Sequence, residues 1–388
     1  MIYLDYNATT SVHPEVRRTI NEFLDVEYGN PSSSHAKGRA AKAAVDTARA
    51  AVALAIAAAA PDEIVFTGSA TESNNLAVLG ACLAGAAERR HLIISAVEHP
   101  AVVEPALELR RQGWTLSIAP VDRDGRVDLS ALSQLLEKAR PTLVSVMHAN
   151  NELGTLQPVE EIGALVKSRG ALFHVDAAQS MGKVNVDVNA MGADLLTIAG
   201  HKMYAPKGIG ALYVRRGTTL RALQYGASQE RGVRPGTENV AYIAGLGAAA
   251  RIVSHAHAER RQMASLRDEL QARLCRGIPG LTVNGSSTHR LPNTLHVSLP
   301  VGSARAIVAM LANEVALSPG AACHADHPDE PSGVMKAIGA TGQQANGALR
   351  LSLGYDTTAA EIETAAQLIV AAFNRHSAEF EAVGHWEI

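Results

Sequence analysis

Along much of the first 255 positions, short unbroken apolar runs alternate with stretches in which apolar residues recur every three or four positions. The runs predict strands buried on both faces, and the stretches predict amphipathic helices. Residues 35–60 carry the helical spacing, with Lys37, Arg39, Lys42, Asp46 and Arg49 on the polar face and Pro61 just beyond it. Residues 63–68 then read as a strand opening into a helix from about Thr71. The pairing recurs at 91–95 before a helix near Pro100, and at 142–147 before one near Val159. Residues 171–175 and 194–199 read as two more strands.

Strands alternating with helices predict an α/β fold on a mostly parallel sheet flanked by helices. After Pro235-Gly236 a helical pattern is expected to run to about Arg276. Residues 294–298 and 348–352 alternate like strands of a smaller α+β unit. The boundary is placed near residue 255, giving a large unit of 14–255 and a small one of 256–388. Residues 1–13, which lack a helix-strand rhythm, are assigned to the small unit.

Composition narrows the function classes. The chain has 388 residues, 47% hydrophobic and 19% charged, which reads as soluble, globular and long enough for two or three domains. Lys+Arg 35 against Asp+Glu 38 gives a net charge of −3 with no basic run, which argues against nucleic acid as the main ligand. The longest charge-free run, 73–87, is shorter than the ~20 apolar residues of a membrane helix. The first 17 residues do not read as a signal peptide. Cys82, Cys275 and Cys323 are odd in number and far apart, which favours a reducing compartment, taken as the cytoplasm, over a disulfide framework.

Reactive groups fall at the ends of predicted strands, where open α/β sheets bind ligands. Gly68-Ser69-Ala70-Thr71-Glu72 ends a strand and opens a helix, either a phosphate site or an ordinary helix cap. His99 closes the strand that runs from His91 to Val97, where a solitary histidine reads as a structural residue. Asp176 ends an apolar strand, where a buried carboxylate needs a cation such as a protonated pyridine nitrogen, unless it only caps a helix. Ala199-Gly200-His201-Lys202 runs an apolar strand into a lysine, either a desolvated amine suited to Schiff-base chemistry or a surface lysine with its stem along apolar neighbours. Cys323, in a Gly-, Ala- and Pro-rich stretch beside His324, is a candidate thiolate nucleophile. Its neighbours His324, Asp326 and His327 are too closely spaced for a structural zinc site, so no metal is expected. Gly245-Leu246-Gly247 matches a dinucleotide pattern but lies within a helical stretch.

Read in order, these segments resemble one family. Tyr3-Leu4-Asp5-Tyr6-Asn7-Ala8-Thr9-Thr10, Gly29-Asn30-Pro31-Ser32-Ser33, Ala70-Thr71-Glu72, Glu98-His99 and His148-Ala149-Asn150-Asn151-Glu152-Leu153-Gly154 come first. Asp176-Ala177-Ala178-Gln179, Gly200-His201-Lys202 and Arg234-Pro235-Gly236-Thr237 follow. The series is similar to the cysteine desulfurases, fold-type-I enzymes of pyridoxal phosphate (PLP), over essentially the whole chain. The resemblance implies that Lys202 carries PLP as a Schiff base, Asp176 pairs with its pyridine nitrogen and Gln179 faces its ring hydroxyl. His99 would stack on the ring and move protons, and Asn151 would lie against it. Ala70, Thr71 and His201 would hold the phosphate, with Thr237 reaching in from the second subunit of a homodimer. Arg350 would grip the substrate carboxylate, with Asn30 and Asn151 also at the substrate.

Cys323 matches the cysteine that takes the substrate sulfur as a persulfide, for transfer to an acceptor protein. The run Gly320-Ala321-Ala322-Cys323-His324-Ala325-Asp326-His327 is similar to selenocysteine lyases of the same family. The expected activity is therefore removal of sulfur from L-cysteine to give L-alanine, with selenium from L-selenocysteine as the alternative. A non-catalytic binding protein on the PLP fold is the rival from another class.

Overall fold

The computed structural model describes residues 1–85, 89–320 and 331–384. Its centre is a seven-stranded sheet in the order Ile64–Thr67, Gly210–Val214, Leu195–Ala199, Leu172–Asp176, Leu143–Met147, His91–Ser95, Thr115–Ala119. Only Gly210–Val214 runs antiparallel to its neighbours, so the sheet is mostly parallel, as expected, with one strand reversed. Alternate side chains of each strand feed two separate cores. Ile64, Phe66, Ile93, Val144 and Phe173 face helices Pro14–Asp25, Ala36–Ala55 and Val159–Ser168, among others. Val65, Leu92, Ile94, Leu143 and Leu212 face helix Pro100–Arg111 and the segment around Leu76. Burial on both faces is why these strands are apolar without alternation.

Two strands were not apparent from the pattern. Thr115–Ala119 is an edge strand, half-exposed and too polar to stand out. Gly210–Val214 is an antiparallel return from Leu195–Ala199 and follows a turn-like stretch. Gly210 has no room for a side chain, because a Cβ there would lie 2.8 Å from the carbonyl carbon of Ser69 and 2.9 Å from the Ile198 oxygen. That close approach brings the turn at Ser69 against the loop that carries Lys202.

Two helices also differ from expectation. The helix expected to reach residue 60 stops at Ala55, because Ala57 adopts a left-handed φ of 55° and Ala58 N–H bonds back to the Ala53 carbonyl. This is a helix stop normally built on glycine, here stabilised by Ile56, which is fully buried. The long helix after Pro235-Gly236 is two helices, Val240–His255 and His257–Gly277. Ala256 breaks the ladder, and Arg260 Nη2 donates to the Val253 carbonyl at 2.6 Å. An alanine gives no local stop signal, so that break is written in a tertiary contact. Gly245 and Gly247 lie inside the first of these helices, where Cβ atoms would come within 2.7 Å of Ile20 and 2.5 Å of Ala48. They therefore permit helix–helix contact, and no strand-to-helix turn stands there for a dinucleotide.

A second sheet orders Ser318–Pro319, Ala348–Ser352, Thr294–Ser298 and Thr282–Val283, all antiparallel. Its core joins Leu295, Val297, Leu349 and Leu351 to helices His257–Gly277 and Ala359–Gly384. Leu4 is buried in this core, and Ile2–Tyr3 pairs with Val315–Ala316. The chain start thus lies against the second sheet, and Asp5 bridges to Ser352. Among the described residues no helix is long and apolar enough to cross a membrane.

Candidate active site

The C-terminal ends of the parallel strands converge on a cavity of about 270 Å³. Asp176 is the last residue of its strand, and His99, Asn151, Lys202 and the turn 69–71 follow the ends of theirs. Ala70, Thr71, His99, Asn151, Asp176, Gln179, His201, Lys202 and Arg350 all line this one space. Two other expected residues do not. Thr237 lines a separate cavity of about 140 Å³ behind Gly68, and Asn30 sits on an exposed loop with its Oδ1 accepting from Ser32 N–H. Cys323, with His324, Asp326 and His327, lies outside the described residues. Among the described residues no group of three or more His, Cys, Asp or Glu is placed to hold a metal.

Several of these side chains have a structural duty as well as a place in the cavity. Ser69 caps its helix by accepting from Glu72 N–H at 3.1 Å. His99 caps the next helix, its Nδ1 accepting from Ala101 N–H at 3.0 Å. With Nδ1 an acceptor, the neutral ring carries its proton on Nε2. Burial lowers the His99 pKa and Lys202 adds to this, while Asp176 opposes it. The result is a neutral imidazole at the cavity wall. Burial also lowers His201 to about 4, helped by Lys202, Lys207 and Lys183.

Asp176 is 4% exposed, with Oδ1 accepting from Ala178 N–H at 2.9 Å and Oδ2 from Asn74 Nδ2 at 2.7 Å. Both donors are neutral, and among the described residues no cation bonds to this carboxylate. A buried carboxylate in that state fits a positively charged ring nitrogen. Asn74, also in the wall, has a buried Oδ1 with no partner. Arg350 is 2% exposed and reaches Asp5 Oδ1 at 2.8 Å, Ser318 Oγ at 3.1 Å and the Asn151 carbonyl at 3.1 Å. Its Nε is buried without a partner, leaving donor capacity beside the cavity. A lysine, an arginine and a carboxylate with no cation bonded to it, in a pocket otherwise walled by alanines, a methionine and neutral polar side chains such as Thr71, Asn151 and Gln179, suit a flat, charged, anionic cofactor such as PLP.

Other members of the site carried no clear signal. Asn7 lines the cavity, donates to Thr294 Oγ1 at 2.9 Å and belongs to a motif already noted. Asn74 and Lys183 sit in ordinary helical and turn contexts. Glu98 and Glu152 lie deep behind the site, bonded to Ser95 and Ser332.

Burial of these groups makes stability depend on pH. It holds His148 and His174 down to about 4 and His296 to about 3, against an ordinary 6.5, with Asp176 opposing the shift at His174. It lifts Glu98 to about 8 and Glu152 to about 7 against an ordinary 4.5, despite the opposing serine bonds. Below pH 6.5 the unfolded chain binds protons that these three folded histidines and His201 refuse, so stability falls towards acid. Above pH 4.5 the two folded glutamates keep protons that the unfolded chain releases. That effect takes over once the histidines of the unfolded chain are neutral, and stability falls towards pH 8. The cofactor-free protein is expected to be most stable near pH 6.5, each uncompensated proton changing stability by about 1.4 kcal/mol per pH unit. Urea midpoints at about pH 5, 6.5 and 8 check this, and a steady rise or fall across the series contradicts it.

Comparison with known proteins places this geometry in context. The family described as aminotransferase class-V matches residues 2–364. A cysteine desulfurase of Trichormus azollae is 46% identical over 365 residues, covering 94% of this chain and 90% of that protein. A cysteine desulfurase IscS of Dictyoglomus turgidum is 42% identical over 359 residues, covering 92% and 90%. Among solved structures, a NifS-like protein superposes with TM-score 0.89 at 34% identity, covering 96% of this chain and 99% of that one. SspA in complex with cysteine superposes with TM-score 0.80 at 34% identity, covering 92% and 100%.

Proposed function

The chain belongs to the aminotransferase class-V family and, within it, to the cysteine desulfurases, and we propose on that footing that it converts L-cysteine to L-alanine and leaves the sulfur as a persulfide on Cys323. The observation that carries the reading is Lys202, Asp176 and Arg350 around one cavity at the strand ends. PLP, the cofactor of the family, supplies when bound an electron sink for the pair left at the substrate α-carbon. Each residue has a part suited to its surroundings. Lys202 Nζ binds the cofactor and moves the α-proton. Asp176 holds the proton on the ring nitrogen, Gln179 donates to the ring oxygen, and Ala70, Thr71 and His201 hold the phosphate. His99, neutral with Nε2–H turned from its capping bond, orients the ring and passes protons. Arg350 binds the substrate carboxylate as a charged fork, held in register by Asp5, Ser318 and the Asn151 carbonyl.

The sulfur step balances without an external oxidant. The Cys323 thiolate bonds to the substrate sulfur, the carbon–sulfur bond breaks, and the carbon keeps that electron pair. Two protons complete the exchange: cysteine plus a thiol become alanine plus a persulfide, which an acceptor protein then takes. We assign the protein to the cytoplasm and to a homodimer. Exposed Leu24, Val26 and Tyr28 beside the Asn30 loop support a second copy there, and Thr237, absent from its own chain's main cavity, is free to serve the partner's.

The loop sequence around Cys323 favours one further reading, selenocysteine as substrate. A selenol ionises more readily than a thiol and leaves without an enzyme thiolate to accept it. Alanine formation from L-cysteine and L-selenocysteine, in wild type and Cys323→Ala, decides between them. Cysteine turnover is expected to fall by at least about 10³-fold in the variant. Full retention of cysteine turnover overturns the persulfide step. Turnover of selenocysteine alone, surviving the substitution, makes the protein a selenocysteine lyase.

A further inference from the structure

Lys183 is a buried cation that the mechanism above does not use. It is 6% exposed, and its Nζ donates to Gln179 Oε1 at 2.6 Å and to Asn7 Oδ1 at 3.1 Å. Among the described residues no carboxylate bonds to it, and burial, with Lys202 and Arg350 nearby, pulls its pKa down. A buried lysine bonded only to amides stabilises the fold poorly, and an apolar residue of similar volume would serve the core as well or better. Its surroundings show another use.

Gln179 and Asn7 both line the cofactor cavity, and an amide presents either a donor or an acceptor depending on which way it is turned. Charged or neutral, the amine has at least two N–H groups, and here one goes to each amide oxygen. Bonding to Lys183 therefore fixes both amides with their oxygens turned towards it. Gln179 Nε2 is then turned to Asn7 O, at 3.0 Å, and its second N–H remains for the cavity. Asn7 Oδ1 also accepts from Asn293 Nδ2 at 3.1 Å, which leaves Asn7 Nδ2 for Thr294 Oγ1 and the Asn151 carbonyl. We propose that Lys183 is a positioning residue that locks the Gln179 and Asn7 amides so that Gln179 offers a donor, never an acceptor, to the anionic ring oxygen of PLP. The inference rests on the reading of Gln179 as the partner of that oxygen. The charge of Lys202 and Arg350 in the cavity and of Asp5 beyond it is unchanged by this lock.

The test is the pH titration of the bound cofactor's visible absorption in wild type, Lys183→Met, Gln179→Leu and the double variant. A donor to an oxyanion holds its pKa down, so losing that donor raises the midpoint. Lys183→Met and Gln179→Leu are each expected to raise it by about one pH unit, and the double variant by no more than Gln179→Leu alone. Cofactor affinity in fluorescence titrations is expected to fall by about tenfold in each. Equal shifts from Lys183→Met in both backgrounds overturn the lock, because they are the signature of charge acting through space. An unchanged midpoint in Lys183→Met with a shift in Gln179→Leu also overturns it. No shift in Gln179→Leu removes the underlying assignment of Gln179 instead. Should Lys183→Met not fold, Lys183→Gln serves in the same pair of backgrounds, since its amide can accept as well as donate and no longer fixes its neighbours.

Discussion

Lys202→Ala is expected to lower alanine formation from L-cysteine by about 10⁴-fold, the upper range of what one acid–base group contributes, and to leave PLP removable by dialysis. The size follows from what surrounds the amine. Lys202 lines the cavity at the end of Leu195–Ala199, where a short helical turn, Gly200–Lys202, follows the strand. The buried amine of Lys183 is turned to Gln179 and Asn7 and is not among the lining residues, so it cannot take over. His99 and His201 line the same space, but burial and the Lys202 charge keep both neutral. Removing Lys202 relieves part of that depression without giving either ring an amine's reactivity. Partial recovery on adding a small primary amine separates loss of the amine from collapse of the pocket. Retention of more than about a hundredth of the wild-type rate assigns the proton transfer elsewhere.

The strand ends were legible because Asp176 and Lys202 each follow a short, mostly apolar run, Leu172 to Val175 and Leu195 to Ala199. Such runs place a side chain at the open edge of a doubly covered sheet whatever the rest of the chain does. What was not legible depends on contacts far apart in sequence. Asn74 and Asp176 meet across 102 positions, and Lys183 and Asn7 across 176. Neither asparagine nor lysine in such a stretch has a local pattern that marks it as buried. The break at Ala256 is similar, since the arginine that caps Val253 belongs to the following helix. Resemblance to a family located Arg350, and the structure supplies the reason for its orientation: it is buried in a strand of the second sheet and paired with Asp5 from the chain start. The second sheet therefore delivers a cation to a cavity that the first sheet builds.

Asp176→Asn is expected to lower kcat/KM for L-cysteine by about 10³-fold, near 4 kcal/mol, while leaving the fold intact. Asp176 has two duties, and this substitution removes one of them. In the turn that follows its strand, where no helix starts, it accepts from Ala178 N–H, and asparagine accepts there as aspartate does. Its other oxygen accepts from Asn74 Nδ2, and Asn74 has a buried, unpartnered Oδ1, so turning that amide over lets Asn74 accept from the new Nδ2 instead. Both bonds survive, and thermal unfolding of the cofactor-free variant is expected within a few degrees of wild type. Only the negative charge is lost. A ring nitrogen facing a neutral amide no longer holds its proton, and the electron sink weakens with it. Glu98, whose pKa the Asp176 charge helps to raise, relaxes downward at the same time. Equal activity in Asp176→Asn and wild type, with matching stability, reduces Asp176 to a turn-forming residue. A large loss of activity at unchanged stability makes its charge the partner of the cofactor.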